Sequence, residues 1–304
     1  MEHTLHSDYE LGCQLPLEQW AWLNRTGAFE DPSLRPYVAQ FPPLHLIENV
    51  SGLRSEQDFA SHGVDLYAAV SMISPKPLTE YRNILDFGCG CGRLSRMFKG
   101  HPHELSGCDI DKRHIEWVSK NIDFMTASVS SIHPPLPYSN DQFDCVISIS
   151  VFSHLNEKSQ DEFLADLCRI SQPGAYLFVS VHGENAMQRA AHEKPIREMI
   201  AVEEAPFQVA QQRLMEGGHA FILQRGHLTT TPEPRTRFPF FRKKRERLIQ
   251  GAFEYGITFI PLSYIQSHWS RWFEIVDFRP GAIHNFQDLV VLSPKKAGGS
   301  VPAR

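Results

Sequence analysis

Four residues within the run ILDFGCGCGRL, residues 84–94, carry the first chemical signal: Asp86 is followed by Gly88, Gly90 and Gly92 at alternate positions. Glycine there lets the main chain turn sharply and lets a ligand lie against bare backbone. A helix starting after such a turn presents unpaired N–H groups. The segment therefore reads as a nucleotide-type binding turn at the carboxyl end of a parallel strand. A second carboxylate, Asp109, ends the next apolar run in LSGCDID. Asp111, two residues on, suits the N-cap of the helix that follows. His154, in SVFSHL, stands where a general base would act, with His182 and His284 as lesser candidates among fifteen histidines.

These residues need a scaffold, and the chain around them alternates. NILDFG, HELSGCDID, IDFMTAS, FDCVISIS and YLFVSV are short apolar runs, separated by the helix-spaced CGRLSRMFKG, DKRHIEWVSKN and EKSQDEFLADLCRIS. Strands alternating with helices of this length predict βαβ units and a parallel sheet. The unbroken CVISIS predicts a strand buried on both faces. Upstream, LPLEQWAWL and the stretch from Ser55 to Ile73 have helical spacing. Downstream, PLSYIQSHWSRW predicts a helix, and FEIVDFR and QDLVVLS predict strands.

Glycine spacing narrows the ligand. A dinucleotide turn has the pattern GxGxxG, whereas the third glycine comes one residue early here and position 93 is Arg. In its D-x-G-x-G-x-G form the segment resembles motif I of class I S-adenosylmethionine-dependent methyltransferases. PLPYSNDQFDCVISISVFSHL, LCRISQPGAYLFVSVHG and the closing SYIQSHWSRWFEIVDFRPGAIHNFQDLVVL look like later parts of that family, in order. The resemblance implies a doubly wound α/β fold with a mostly parallel, seven-stranded sheet, its last strand antiparallel. It implies S-adenosylmethionine as cofactor, with Asp86 and the backbone of Gly88 and Gly90 facing the methionine part, Cys89 and Gly92 also among the cofactor-binding residues, and Asp109 on the ribose. Ile110 is then expected against the adenine, Ala127 and Ser128 at its edge, and Ser150 and Val151 as the floor. Phe87, Phe152, Trp20 and Trp22 are aromatic candidates for covering the cofactor.

Domain organisation follows the same rhythm. Residues 76–183 and 257–294 are expected to form the cofactor-binding domain, 1–75 an extension capping it, 184–256 an insert after the fifth strand, and 295–304 a tail. Within the insert, the basic run from Arg235 to Arg247 reads as a solvated face or a lid over an anionic acceptor.

The acceptor is expected to be a small or medium-sized molecule. SVFSHL replaces the D/N-P-P-Y box of amino-methyltransferases acting on DNA, and the net charge of -5 also disfavours nucleic acid as a partner. No His and carboxylate spacing suggests a metal box, and the six cysteines read as reduced thiols. No apolar run approaches a membrane span, and the opening MEHTLHSDYELG lacks the pattern of a secretory signal, so a cytoplasmic location is expected. The competing readings are an NAD-type oxidoreductase and a non-catalytic module that keeps the fold.

Overall fold

In the computed structural model, the described residues are 12–225 and 254–295. The basic run at 235–247 and residues 296–304 lie outside them. The amino-terminal part comprises α1 (Leu17–Trp22), α2 (Leu44–Ser51) and α3 (Glu56–Ile73). Ser55 caps α3, its hydroxyl accepting from Asp58 N at 3.0 Å. Then come β1 (Asn83–Phe87), β2 (Glu104–Asp109), α4 (Lys112–Asn121), β3 (Thr126–Val129), β4 (Phe143–Ser148), α5 (Glu157–Ile170) and β5 (Ser171–Val181). As expected, the side chain of Asp111 caps α4.

The seven-stranded sheet has the order β3-β2-β1-β4-β5-β9-β8, where β8 is Phe273–Ile283 and β9 is Gln287–Pro294. Neighbours from β3 through β5 pair in parallel, and β9 runs antiparallel to both β5 and β8. The central strands read as unbroken apolar runs because each is buried on both faces. Ile84, Cys145, Ile147, Phe178 and Val291 face a core shared with α3 and α4. Alternate residues Leu85, Phe87, Val146, Leu177 and Val290 face a core shared with α5 and α9 (Leu262–His268).

Three local differences from the sequence expectation have identifiable causes. CGRLSRMFKG forms turns and a 3-10 helix, Ser95–Phe98, instead of an α-helix. There Arg96 is buried, its guanidinium bonded to Ala39 O and stacked 3.7 Å above the Phe41 ring, while Trp20 Nε1 donates to Met97 O at 2.9 Å. Packing against the amino-terminal segment thus overrides local helical preference. The third strand begins at Thr126, later than IDFMTAS suggested. QPGA lies within β5, where the register with β4 shifts and Gly174 takes φ +76°.

Residues after β5 form α6 (Glu184–His192), α7 (Lys194–Ile200), α8 (Glu204–Met215) and β6 (Ala220–Arg225). β6 pairs antiparallel with β7 (Tyr255–Phe259) in a separate two-stranded sheet. Met187, Phe207, Ile222 and Phe259 are buried in a core of their own. This two-stranded sheet is tied to the carboxyl end of β5 by a parallel bridge from His182 to Phe259 and by Ile260 N donating to His182 O at 2.9 Å. It therefore sits where β4 and β5 deliver their loops.

Candidate active site

A cavity of about 240 Å³ opens at the carboxyl ends of β1, β2, β3 and β4. Its wall includes Gly88, Gly90, Asp109, Ile110, Ser150, Val151 and His154 from the sequence-derived set. The glycine turn is built tightly. Gly88 N and Cys89 N both donate to Cys108 O, at 2.8 and 3.0 Å, which pins the turn against β2. Gly88 has φ +79° and Gly90 φ +53°, the left-handed region that disfavours side chains. A Cβ at Gly88 would come within 2.3 Å of Val151 Cγ2, and one at Gly90 within 2.8 Å of Val50 Cγ2. Bare backbone is required at both positions for the walls to close.

Asp109 does two jobs with its carboxylate. Oδ2 accepts from Gly90 N at 2.9 Å and Oδ1 from Asp111 N at 2.8 Å. The side chain keeps 15% exposure and borders the cavity, so its remaining lone pairs are open to a ligand. Nearby His114 is buried, its ring nitrogens 3.9 Å from Asp109 Oδ1 and 3.8 Å from Asp111 Oδ2.

Other members of the set stand behind the wall. Asp86 is buried and accepts a hydrogen bond from the Ser95 hydroxyl. Burial, opposed by that hydrogen bond and reinforced by nearby Asp109, raises its pKa to about 6. Cys89 points its sulfur at Gly107, and burial pushes the thiol well above its usual value. Gly92 packs on Ile122 and Val118 of the core. Ala127 and Ser128 lie on β3 and do not line the cavity; Ser130 and Ile132, just past the strand end, do. Among the aromatic candidates, Phe87 reaches the cavity. Trp20 and Phe152 are packed in the interior, and Trp22 is exposed.

On the far wall, β4 ends at Ser148 and the chain turns through Ser150 at φ +60°. Ser150 N donates to Ser180 Oγ at 2.7 Å and its hydroxyl meets the Gln287 amide, fixing this exit against β5 and β9. His154 follows. Its Nδ1 lies 2.8 Å from Gly256 O, and its ring stacks on Tyr255 at 4.7 Å and 12°. A carbonyl partner requires Nδ1 to carry the proton, which leaves Nε2 with a free lone pair. Burial, with Arg225 adding to it and the Gly256 carbonyl opposing, holds the imidazole below its usual pKa. The ring is neutral at physiological pH, as a base must be before it acts.

The other two histidines are placed differently. His182 is buried and its pKa falls to about 3, chiefly through burial, so it stays neutral. His284 bonds Asp65 of α3 at 2.9 Å and is absent from the cavity wall.

Sequence reading did not name Val50, Arg93, His114 or Tyr255 as wall residues, yet all four line the cavity. Arg93 was visible as the residue that breaks the dinucleotide pattern. Val50 and Tyr255 arrive from distant segments and carried no local signal. Among the described residues no cluster of His, Cys, Asp and Glu is arranged to hold a metal ion. The six cysteines are all free thiols, and no helix of the described residues is long and apolar enough to cross a membrane.

Residues 84–174, from β1 into β5, match the family model described as a methyltransferase domain. Over these residues the chain is similar to that domain. Its sheet, with antiparallel β9 between β5 and β8, is the arrangement that family resemblance implied, and it departs from the 3-2-1-4-5-6 order of dinucleotide-binding folds. An uncharacterized protein of Rickettsia prowazekii is 28% identical over 152 residues, 47% of this chain and 58% of the relative. A ubiquinone biosynthesis O-methyltransferase of Thiobacillus denitrificans is 25% identical over 112 residues, 34% of this chain and 46% of the relative. The chain thus spans about half the length of these curated relatives. A crystal structure from Pyrococcus horikoshii OT3 shares the fold with a TM-score of 0.52 at 14% identity, covering 82% of this chain and 96% of that one.

The cradle suits S-adenosylmethionine. The two left-handed glycines leave main chain uncovered, and Asp109 offers carboxylate lone pairs one strand away. Val50 of α2 closes over Gly90, so the amino-terminal segment forms part of the wall.

Proposed function

We propose that this chain transfers a methyl group from S-adenosylmethionine to a hydroxyl of a small or medium-sized acceptor, such as a sugar or other metabolite. One observation carries the choice of hydroxyl: His154, its Nδ1 committed to Gly256 O and its Nε2 left with a lone pair, lines the cavity that Gly88, Gly90 and Asp109 also line. An amine acceptor needs only its own lone pair, whereas a hydroxyl gains from a base of this kind. The O-methyltransferase of Thiobacillus denitrificans among the relatives is in keeping with this reading.

When bound, the cofactor supplies an electrophilic methyl on a positively charged sulfur. Asp109 and the main chain of Gly88 and Gly90 orient it. Ser150 and Val151 shape the floor between the cofactor side and His154. His154 Nε2 would accept the acceptor hydroxyl's proton as the oxygen bonds to the methyl and the methyl–sulfur bond breaks, the sulfur leaving as a neutral thioether. Leu155 and Phe163 line the same region and exclude water from the attacking oxygen.

The test is a panel of hydroxyl and amine acceptors scored by S-adenosylhomocysteine release. A hydroxyl compound turned over by the wild type should lose about 10²-fold in rate with His154→Ala, in line with general-base contributions. Affinity for S-adenosylhomocysteine should stay within about threefold. Unchanged turnover in that variant would remove the base from the mechanism.

A further inference from the structure

β7 and the residue before it are held against the segment that carries His154 at three points. The Asn156 amide donates to Glu254 Oε2 at 2.7 Å, His154 Nδ1 lies 2.8 Å from Gly256 O, and the Thr258 hydroxyl donates to Leu155 O at 2.6 Å. Glycine at 256 permits this: a Cβ there would come within 2.2 Å of Ile222 O, so β7 could not lie as close to β6. Tyr255 adds a contact of another kind. Its ring lies flat on the His154 ring, centroids 4.7 Å apart and planes 12° from parallel, and the Arg225 guanidinium of β6 lies over the same Tyr255 ring at 4.9 Å.

A hydrogen bond at one nitrogen fixes the tautomer of an imidazole but leaves the ring free to swing about that bond. A flat contact on the ring face removes the swing, and the two together fix where Nε2 points. The charged and titratable groups around the ring do not replace this hold. Arg225 opposes protonation, and His182, whose ring lies 6.3 Å away, stays neutral. Among the described residues no side chain hydrogen-bonds to the His154 imidazole. Resting on the base reading above, we propose that Tyr255 is a positioning residue for His154. With the Gly256 carbonyl it sets the plane and tautomer of the ring, so the two-stranded sheet of β6 and β7 completes the arrangement that the exit from β4 begins. The contact is made by the ring face, so phenylalanine should serve as well.

The test follows the His154 ring itself, by nitrogen NMR of the full chain labelled in histidine, with its signals identified by their loss in His154→Ala. Wild type should show the proton on Nδ1 and a titration midpoint below 6.5. Tyr255→Phe should match it. Tyr255→Ala admits water to the ring face, so the midpoint should climb toward 6.5 and the proton should be shared between the two nitrogens. For a hydroxyl acceptor turned over by wild type, Tyr255→Ala should lower kcat about tenfold, the upper range for an aromatic stack, and keep S-adenosylhomocysteine affinity within about threefold. In His154→Ala the same change should cost less than about twofold, because its effect passes through the imidazole. An unmoved midpoint and tautomer in Tyr255→Ala overturns the positioning role, and so does a kcat loss of full size in the His154→Ala background. If Tyr255→Ala does not fold, wild type decides: a proton on Nε2, or a midpoint at or above 6.5, overturns the role. Wild-type turnover in His154→Ala overturns the base reading instead, an outcome read without any Tyr255 variant.

Discussion

Replacing Asp109 by Ala tests two roles at once, because the carboxylate holds the protein's own loop as well as facing the cavity. In the folded chain it accepts from Gly90 N at 2.9 Å and from Asp111 N at 2.8 Å. Hydrogen bonds to a charged group contribute about 1.5–3 kcal/mol each. Taking the low end, because the side chain retains contact with water, the two together amount to about 3 kcal/mol. With a urea slope near 3 kcal/mol/M, the unfolding midpoint should fall by about 1 M. Loss of two ribose hydrogen bonds of the same strength should weaken S-adenosylhomocysteine by about 10²-fold, read by calorimetry under conditions where the variant is folded. Asp109→Asn keeps one carbonyl acceptor and should fall between. An unmoved urea midpoint with unchanged affinity would refute the reasoning altogether. A lowered midpoint with wild-type affinity would leave Asp109 as a loop tie only.

Three further outcomes follow from neighbouring contacts. Gly88→Ala places a Cβ 2.3 Å from Val151 Cγ2 at φ +79°; it should cost about 2–4 kcal/mol in urea unfolding, and Val151→Ala in the same chain should recover part of it. Turnover of a hydroxyl acceptor should rise with pH through a value below 6.5 and be flat by neutrality, because burial lowers the His154 pKa and only the neutral ring accepts a proton; a rise centred above 7 contradicts this. Asp288 is buried with its pKa raised to about 6, so its ionisation opposes folding: wild-type stability should decline as pH rises from about 4 to 6, and Asp288→Asn, which keeps the acceptor for Gly281 N, should lack that component by urea titration at several pH values.

The sheet was legible because its strands are sandwiched. Ile84 and Leu85, or Val146 and Ile147, point to opposite cores, so both must be apolar and the run has no polar break. Asp86, Gly88, Gly90 and Asp109 were legible because the turn after β1 demands left-handed backbone, and the end of β2 supplies the carboxylate that ties it. What escaped depends on contacts remote in sequence. The segment after Gly92 has helical spacing, but Arg96 is drawn to Ala39 O and the Phe41 ring, and the chain adopts turns. His154 was placed by its position after β4, while the group that sets its tautomer, Gly256 O, lies 102 residues away. The shift from Ala127 and Ser128 to Ser130 and Ile132 has a simpler origin. Strand residues alternate above and below a sheet, and the cavity meets the chain only after β3 has ended.

The central claim, that the cavity beside the glycine turn is a seat for S-adenosylmethionine, is tested most directly by calorimetric titration of the full chain with S-adenosylmethionine, S-adenosylhomocysteine and NAD. The account predicts saturable one-to-one binding of the first two, competition between them, and no heat from NAD. Binding of NAD, or no binding of either sulfur-containing nucleoside to folded protein, would contradict it.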